Sequence, residues 1–182
     1  MTRDEVLARA AAIGAGGMVA RELAFLYDAC AGKDVLELGS MIGQSSYVLA
    51  KTARRLTCVD AWIDHCPFLE PRQAKCYKIA GMEAVFDANM AGLEFRKIKA
   101  KTSAAAGLLA NETFDAVLID ADHSCEAVLG DIMDFRHMVR PGGLLLLHDY
   151  NSQAWPGVRR AADLLLTGRT PHVIAAMGIF TL

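Results

Sequence analysis

The apolar positions of this chain follow two periods in turn. Short apolar runs such as DVLEL, LTCVD, AVLID and LLLLH alternate with longer stretches in which apolar residues recur every three or four positions. The first pattern suits strands buried on both faces, the second amphipathic helices. From about Asp4 to Cys30, Ala, Leu, Arg and Glu dominate, and Gly14, Gly16 and Gly17 interrupt the run, which predicts two helices. KDVLELGS then gives a strand, Gln44 to Arg54 a helix and LTCVDAW a second strand, together a βαβ unit. Further strands are predicted at Phe95 to Lys99, at Ala116 to Asp120 and at LLLLH behind Pro141, Gly142 and Gly143. Helices follow Thr102, run from about Glu126 to Val139, and close near Gly157 to Leu166. On the second of these, Val128, Ile132, Phe135 and Val139 share a face and read as ordinary core. HVIAA and GIFTL lie close enough to pair around Met177 and Gly178. The pattern predicts an α/β class: one doubly wound, mostly parallel sheet covered on both faces, with a C-terminal β-hairpin.

Residues 1–32 form the helical lead-in of this single domain, 1–182. The least regular stretch, 63–92, carries Pro67 and Pro71 ahead of a helix near Met82 to Met90 and is expected to act as a lid or substrate segment. His65, Cys66 and Cys76 fall there, at a spacing that matches no common zinc module. At 182 residues the chain can bury a core without disulfides or structural metal. It is 53% hydrophobic and 22% charged, with a mean hydropathy of +0.25, as a globular protein should be. A net charge of −2 and a pI near 6.2 offer no basic face for a phosphate backbone, so nucleic acid is not an expected partner. The five cysteines are odd in number and scattered, reading as reduced thiols in a cytoplasmic protein. No apolar run approaches the roughly 20 residues that span a bilayer, so no membrane is expected.

In a sheet of this kind ligands collect beyond the carboxyl ends of the strands. Glu37, Gly39, Asp60, Asp120, His148 and Asp149 all fall at or just past predicted strand ends. In ELGSMIGQSS, Gly39 and Gly43 allow close backbone approach and the next helix offers free amides at its start. Ser40, Met41 and Ile42 separate the two glycines, so the G-x-G-x-x-G of dinucleotide binding is missing. Glu37 would repel a phosphate and could accept from an ammonium group. Asp60 stands where such folds place an acid for ribose hydroxyls, or it is a turn carboxylate at the surface. A ligand with a ribose, a cationic amino-acid end and no pyrophosphate meets both acids, and S-adenosylmethionine is such a ligand.

Through ELGSMIG, the VD ending the second strand, and RPGGLLLLHDY, the chain resembles the class I S-adenosylmethionine-dependent methyltransferases from about Lys33 onward. LIDADHSCEAVLGDI, PGGLLLLHDY and PGVRRA together resemble the small group that includes the macrolide sugar O-methyltransferases. The resemblance implies the Rossmann-like methyltransferase fold. It also implies that Glu37, Gly39 and Gly43, with Ser40 and Ser45 of the same loop, line the methionine end. By the same resemblance Asp60 meets the ribose, and Ala61, Trp62 and Ser103 lie near the adenine, with Asp120 at the edge of the cofactor. Trp62 reads equally as core.

Asp120 and Asp149 end neighbouring strands and could share a divalent cation, Mg2+ or Mn2+, that lowers the pKa of an acceptor hydroxyl. In the related sugar enzymes a basic residue follows the metal-bearing acid three positions later. That position is His123, a candidate proton acceptor, although DADHS is also a good helix cap. Those enzymes and catechol O-methyltransferase usually carry another oxygen donor beside the second acid, whereas His148 and Tyr150 flank Asp149 here. His148 could ligate a softer ion or face the core, and Asn151 could supply the oxygen.

The expected function is methyl transfer to a small hydroxylated molecule, with Asp120, His123 and Asp149 as the catalytic set. A non-catalytic S-adenosylmethionine-binding module is the rival reading. A nicotinamide oxidoreductase is disfavoured by the missing glycine fingerprint. A homo-oligomer, with a neighbouring subunit lending a lid, would help so small an enzyme exclude water.

Overall fold

The computed structural model describes residues 1–14, 17–63 and 80–182. Helices α1 (Arg3–Ile13) and α2 (Ala20–Ala29) precede β1 (Asp34–Leu38), α3 (Gln44–Thr52) and β2 (Arg55–Asp60). There follow α4 (Met82–Asn89), β3 (Arg96–Lys99), α5 (Thr102–Leu109), β4 (Phe114–Ile119) and α6 (Cys125–Phe135). The chain closes with β5 (Val139–Leu147), α7 (Pro156–Leu165), β6 (His172–Ile174) and β7 (Met177–Thr181). The lid expected over 63–92 falls largely on 64–79, outside the described residues, as do His65, Cys66 and Cys76. Among the described residues Cys30, Cys58 and Cys125 are free thiols, and no helix is long and apolar enough to cross a membrane.

One sheet of seven strands runs in the order β3-β2-β1-β4-β5-β7-β6. All neighbouring pairs are parallel except those made by β7, which is antiparallel to both β5 and β6. The doubly wound, mostly parallel sheet and its C-terminal hairpin are therefore as the sequence predicts. The hairpin turn, expected at Met177 and Gly178, lies instead at Ala175 and Ala176, with Ala175 in the left-handed region at φ 53. Length and burial go with β7 rather than β6 sitting against β5. Met177, Gly178, Ile179 and Phe180 are buried, whereas the three-residue β6 is half-buried at best, so the longer apolar strand takes the inner place and the short one the edge.

Side chains alternate between two apolar layers. Val35, Cys58 and Leu146 face the layer built with α1 to α4, whereas Leu36, Leu38, Leu145 and Leu147 face α5, α6 and α7. Val128, Ile132 and Phe135 are buried on α6 as expected, but Val139 is not on that helix. A 3-10 turn at Arg136–Met138 ends it, and Val139 opens β5, which takes Pro141, Gly142 and Gly143 into the strand. The pairing register with β4 slips there, between Phe114 and Ala116. A β-carbon on Gly143 would lie 2.7 Å from the Asp115 carbonyl oxygen, so the close pairing demands glycine.

At the amino ends of the strands, away from the polar loops, Asp34 is buried and ringed by Arg54, Arg55 and Arg140 at 2.7, 2.5 and 3.2 Å. Arg140 also pairs with Asp115 at 2.7 Å, and Asp115 accepts the backbone N–H of Asp34 at 2.8 Å. Strands β1, β2, β4 and β5 are thus tied at one end by charge. Hydrogen bonds from Arg55 and Arg54 hold the Asp34 carboxyl well below the usual carboxylate range. Its contribution is therefore present above about pH 4 and is lost as pH falls below that. Asp34→Asn is expected to lower stability at pH 7 by about 2 kcal/mol, read as a shift in the urea midpoint. The cost should shrink toward pH 3, and an unchanged midpoint at pH 7 would refute the role.

Candidate active site

The order β2-β1-β4 places the turning point of the sheet between β1 and β4, where α3 and α6 leave to opposite faces. Gly39 ends β1 at φ 87, and a β-carbon there would lie 2.1 Å from the Asp120 carbonyl oxygen. The loop after β1 thus lies directly against the end of β4. Beneath it, Glu37 is fully buried, and its carboxylate accepts hydroxyl hydrogen bonds from Ser40 at 2.6 Å and from Ser45 and Ser46 at 2.5 Å. Burial pushes its pKa up, and the three hydroxyls oppose that push. Glu37 and Ser45 therefore brace the loop from below in this conformation.

Asp60 performs a similar service from the side. Its Oδ2 accepts the backbone N–H of Ser40 and Met41 at 2.9 and 2.8 Å, and its Oδ1 accepts that of Trp62 at 2.6 Å. Met41 and Trp62 sit in the left-handed region, at φ 47 and φ 41, a strain of about 1–3 kcal/mol each that needs such anchoring. Trp62 is buried against Phe86 at 4.8 Å between ring centres, under the Lys97 ammonium, and its indole N–H donates to the Met41 carbonyl. Ala61 lies between these anchors. Ser103 is exposed in the first turn of α5, which follows β3 as the backbone N–H of Ala100 bonds the Asp60 carbonyl.

The second half of the site gathers beyond β4 and β5. Asp120, His123, His148 and Asp149 each present a donor atom within 4.8 Å of the others. His148 Nδ1 lies 3.1 Å from Asp120 Oδ1 and 3.4 Å from Asp149 Oδ2. His123 Nε2 lies 3.3 and 3.1 Å from the same two oxygens. Helix capping does not employ His123: the Ser124 hydroxyl caps α6 by accepting from Ala127, and Asp122 accepts from the Ser124 N–H. The imidazole instead stacks on Trp155 at 4.6 Å, and Gly157, whose β-carbon would lie 2.6 Å from the His123 carbonyl oxygen, lets α7 press on this turn. Asp149 holds a left-handed backbone at φ 57, which turns its carboxylate back toward Asp120.

The electrostatics are those of a buried mixed cluster. Burial pulls the His123 imidazole down, but the carboxylates of Asp120 and Asp149 outweigh it and raise its pKa to about 9. His148 is raised further against the same burial, led by the charge on Asp120. Burial pushes Asp120 and Asp149 up, and the two imidazoles pull both below their usual range. Two carboxylates and two imidazoles are also a suitable donor set for a divalent cation. The fit has a specific sign: His123 Nε2 is buried and, despite its two near neighbours, has no hydrogen bond of proper geometry.

The sequence profile of a methyltransferase-domain family matches residues 36–150. The chain belongs to that family. With this sheet order it is a class I S-adenosylmethionine-dependent methyltransferase. No curated protein matches it by sequence. Among solved structures it resembles a calicheamicin methyltransferase at 12% identity and a TM-score of 0.66, covering 100% of this chain and 93% of the other. An O-methyltransferase from Bacillus cereus in complex with SAH gives 18% identity and a TM-score of 0.64 over 98% and 90%. Cofactor-bound Rv0187 from MTB gives 19% and 0.69 over 98% and 88%. At these identities the likeness speaks for the fold.

Within this methyltransferase, most of the residues singled out in the sequence form two adjoining groups, Glu37 to Trp62 around the loop and Asp120 to Asp149 in the ring, whereas Ser103, exposed on α5, belongs to neither. Two neighbours escaped sequence reasoning. Trp155 carries no sequence signal beyond standing before Pro156. Glu22 is 1% exposed on α2, with Oε2 3.4 Å from His148 Nε2. Its signal was an acid on the same helical face as Leu26.

A group whose pKa is raised on folding stabilises the fold fully below its unfolded pKa, here about 6.5 for histidine, and loses that contribution as pH rises through the folded value. The cation-free protein is therefore expected to lose unfolding free energy between about pH 6.5 and 9, and His123→Gln to reduce that slope, leaving the part that His148 contributes. Denaturant titrations in chelator at several pH values measure it; a wild-type curve with no decline over this range would refute the coupling.

Proposed function

We propose that the protein transfers the methyl group of S-adenosylmethionine to a hydroxyl oxygen of a small acceptor, held at the Asp120, His123, His148 and Asp149 cluster with a divalent cation. The contact of Gly39 with the Asp120 backbone carries this reading, because it puts the cofactor loop and the buried ring side by side at the turning point of the sheet. The resemblance to O-methyltransferases among solved structures supports the choice of oxygen as acceptor.

In this reading Gly39, Ser40 and Gly43 give the backbone surface for the amino-acid end, with Glu37 and Ser45 holding the loop in place. Asp60, with acceptor capacity left on Oδ1 beyond its amide bond to Trp62, takes a ribose hydroxyl, and Ala61, Trp62 and Ser103 border the adenine. Asp120, Asp149 and His148 hold the cation. When bound, such an ion would supply a Lewis acid for the acceptor oxygen and neutralise the carboxylates that keep His123 protonated. His123 Nε2, the unpartnered nitrogen, receives the hydroxyl proton. The oxygen then forms its bond to the methyl carbon as the carbon–sulfur bond breaks, and the sulfur keeps the electron pair as S-adenosylhomocysteine leaves. Alignment of oxygen, carbon and sulfur is the main service of the fold.

Titration calorimetry is expected to detect S-adenosylmethionine binding by the wild type. Gly39→Ala should abolish it, since the new β-carbon has no room. Folded wild type that binds no cofactor at millimolar concentration would end the proposal. With an accepted hydroxylated substrate, His123→Ala should lower turnover by about 10²-fold with cofactor affinity unchanged. Chelation should likewise remove transfer and spare cofactor binding. Full turnover in excess chelator would exclude the cation from the reaction.

A further inference from the structure

We propose that Asp120, His148 and Asp149 bind a transition-metal ion in preference to Mg2+, and that Glu22, from the N-terminal helix, orients His148 for it. The inference rests on the cluster being a cation site, as read above, and not on methyl transfer.

The two ring nitrogens of His148 have different neighbours. Nδ1 faces the carboxylates of Asp120 and Asp149 at 3.1 and 3.4 Å, whereas Nε2 faces Glu22 Oε2 at 3.4 Å. A neutral imidazole has one N–H and one lone pair. With the proton on Nε2 directed at Glu22, the lone pair on Nδ1 points into the ring of donors. A carboxylate behind a ligating histidine fixes its tautomer and raises its basicity.

Glu22 is itself fixed. Its Oε2 accepts the N–H of Val19 and its Oε1 that of Ala176, each at 2.9 Å, so the carboxylate cannot swing away. The first of these bonds belongs to the start of α2, the second to the turn between β6 and β7. One side chain from outside the family-matched residues 36–150 thus clamps the N-terminal helix, the C-terminal hairpin and a strand-end histidine together.

The balance of charge admits an ion here. Glu22, Asp120 and Asp149 are three carboxylates gathered around two imidazoles, and both Glu22 and His148 are buried. A divalent cation can take the place of the imidazole protons there, balancing the carboxylates while the freed lone pairs become its ligands. His123 is an independent pointer, with its side chain 9% exposed and its unpartnered Nε2 aimed at the same carboxylates. The donor type then selects the ion. Mg2+ prefers oxygen ligands and gives up water reluctantly, whereas imidazole nitrogen suits Fe2+, Co2+, Ni2+ and Zn2+.

The test uses full-length, metal-free protein without cofactor or acceptor. Calorimetric titration of wild type is expected to show Co2+ binding on the order of 100-fold tighter than Mg2+. Glu22→Gln, which keeps an acceptor oxygen for Ala176, should weaken Co2+ binding by about 10- to 100-fold while leaving Mg2+ binding unchanged. His148→Asn, which replaces the nitrogen donor by oxygen, should erase the preference. Nitrogen-15 NMR of zinc-loaded wild type needs no variant and should show the metal on His148 Nδ1 with the proton on Nε2. Equal Co2+ and Mg2+ affinities, a proton on Nδ1 in the zinc-loaded protein, or folded Glu22→Gln within about threefold of wild type would each overturn the proposal. Failure to bind S-adenosylmethionine would leave all these readings untouched, so the two proposals fall separately.

Discussion

The close approach of two backbones at the centre of the sheet is the constraint on which the rest depends. Gly39 closes β1 against the carbonyl of Asp120, with no space for a single further carbon. The N–H of Asp120 in turn donates to Leu38, and that of Gly39 to Val59, so three strand ends are stitched together at one level. Because the chain leaves β1 and β4 toward opposite faces, this stitched level is also the mouth of the crevice. A bulkier residue would separate the glycine loop from the acids beyond β4.

The loop is held in strained form by acids used as braces. Asp60 spends both oxygens on backbone amides, including those of two residues in left-handed conformations. Glu37 spends its oxygens on three serines from below. Both carboxyls have pKa values raised, first by burial, and hydrogen bonds work against that rise. Such rigidity suits a site that must position a reacting carbon, since misplacement of about 1 Å is costly in rate.

The two ends of the sheet treat charge in opposite ways. At the amino ends, Asp34 and Asp115 meet three arginines and the account is closed within the protein. At the carboxyl ends, among the described residues, Asp120 and Asp149 meet the imidazoles of His123 and His148, which can exchange a proton for a metal. The first arrangement fastens strands; the second leaves chemistry available. Trp155, just ahead of α7, stacks on His123, and Glu22, from α2, faces His148.

Strand and helix order, the parallel sheet and the strand-end acids were legible in the sequence because they follow from local periodicity and from glycine and proline punctuation. Asp60, Asp120 and Asp149 could be picked out because each stands at or just past the end of an apolar run, where a parallel sheet opens its crevice. The sequence was less reliable where two conformations compete locally. Val139 fits a helical face as well as a strand, and only pairing with β4 decides for the strand. The hairpin turn likewise moved to Ala175 because the whole apolar run from Met177 is buried beside β5. Nothing local links Glu22 to His148, 126 positions away, and periodicity carries no information over such distances. The chain by itself determined its elements and their order, since those depend on neighbours a few residues apart. Which nitrogen meets which carboxylate was decided only by folding, because that depends on where distant elements come to rest.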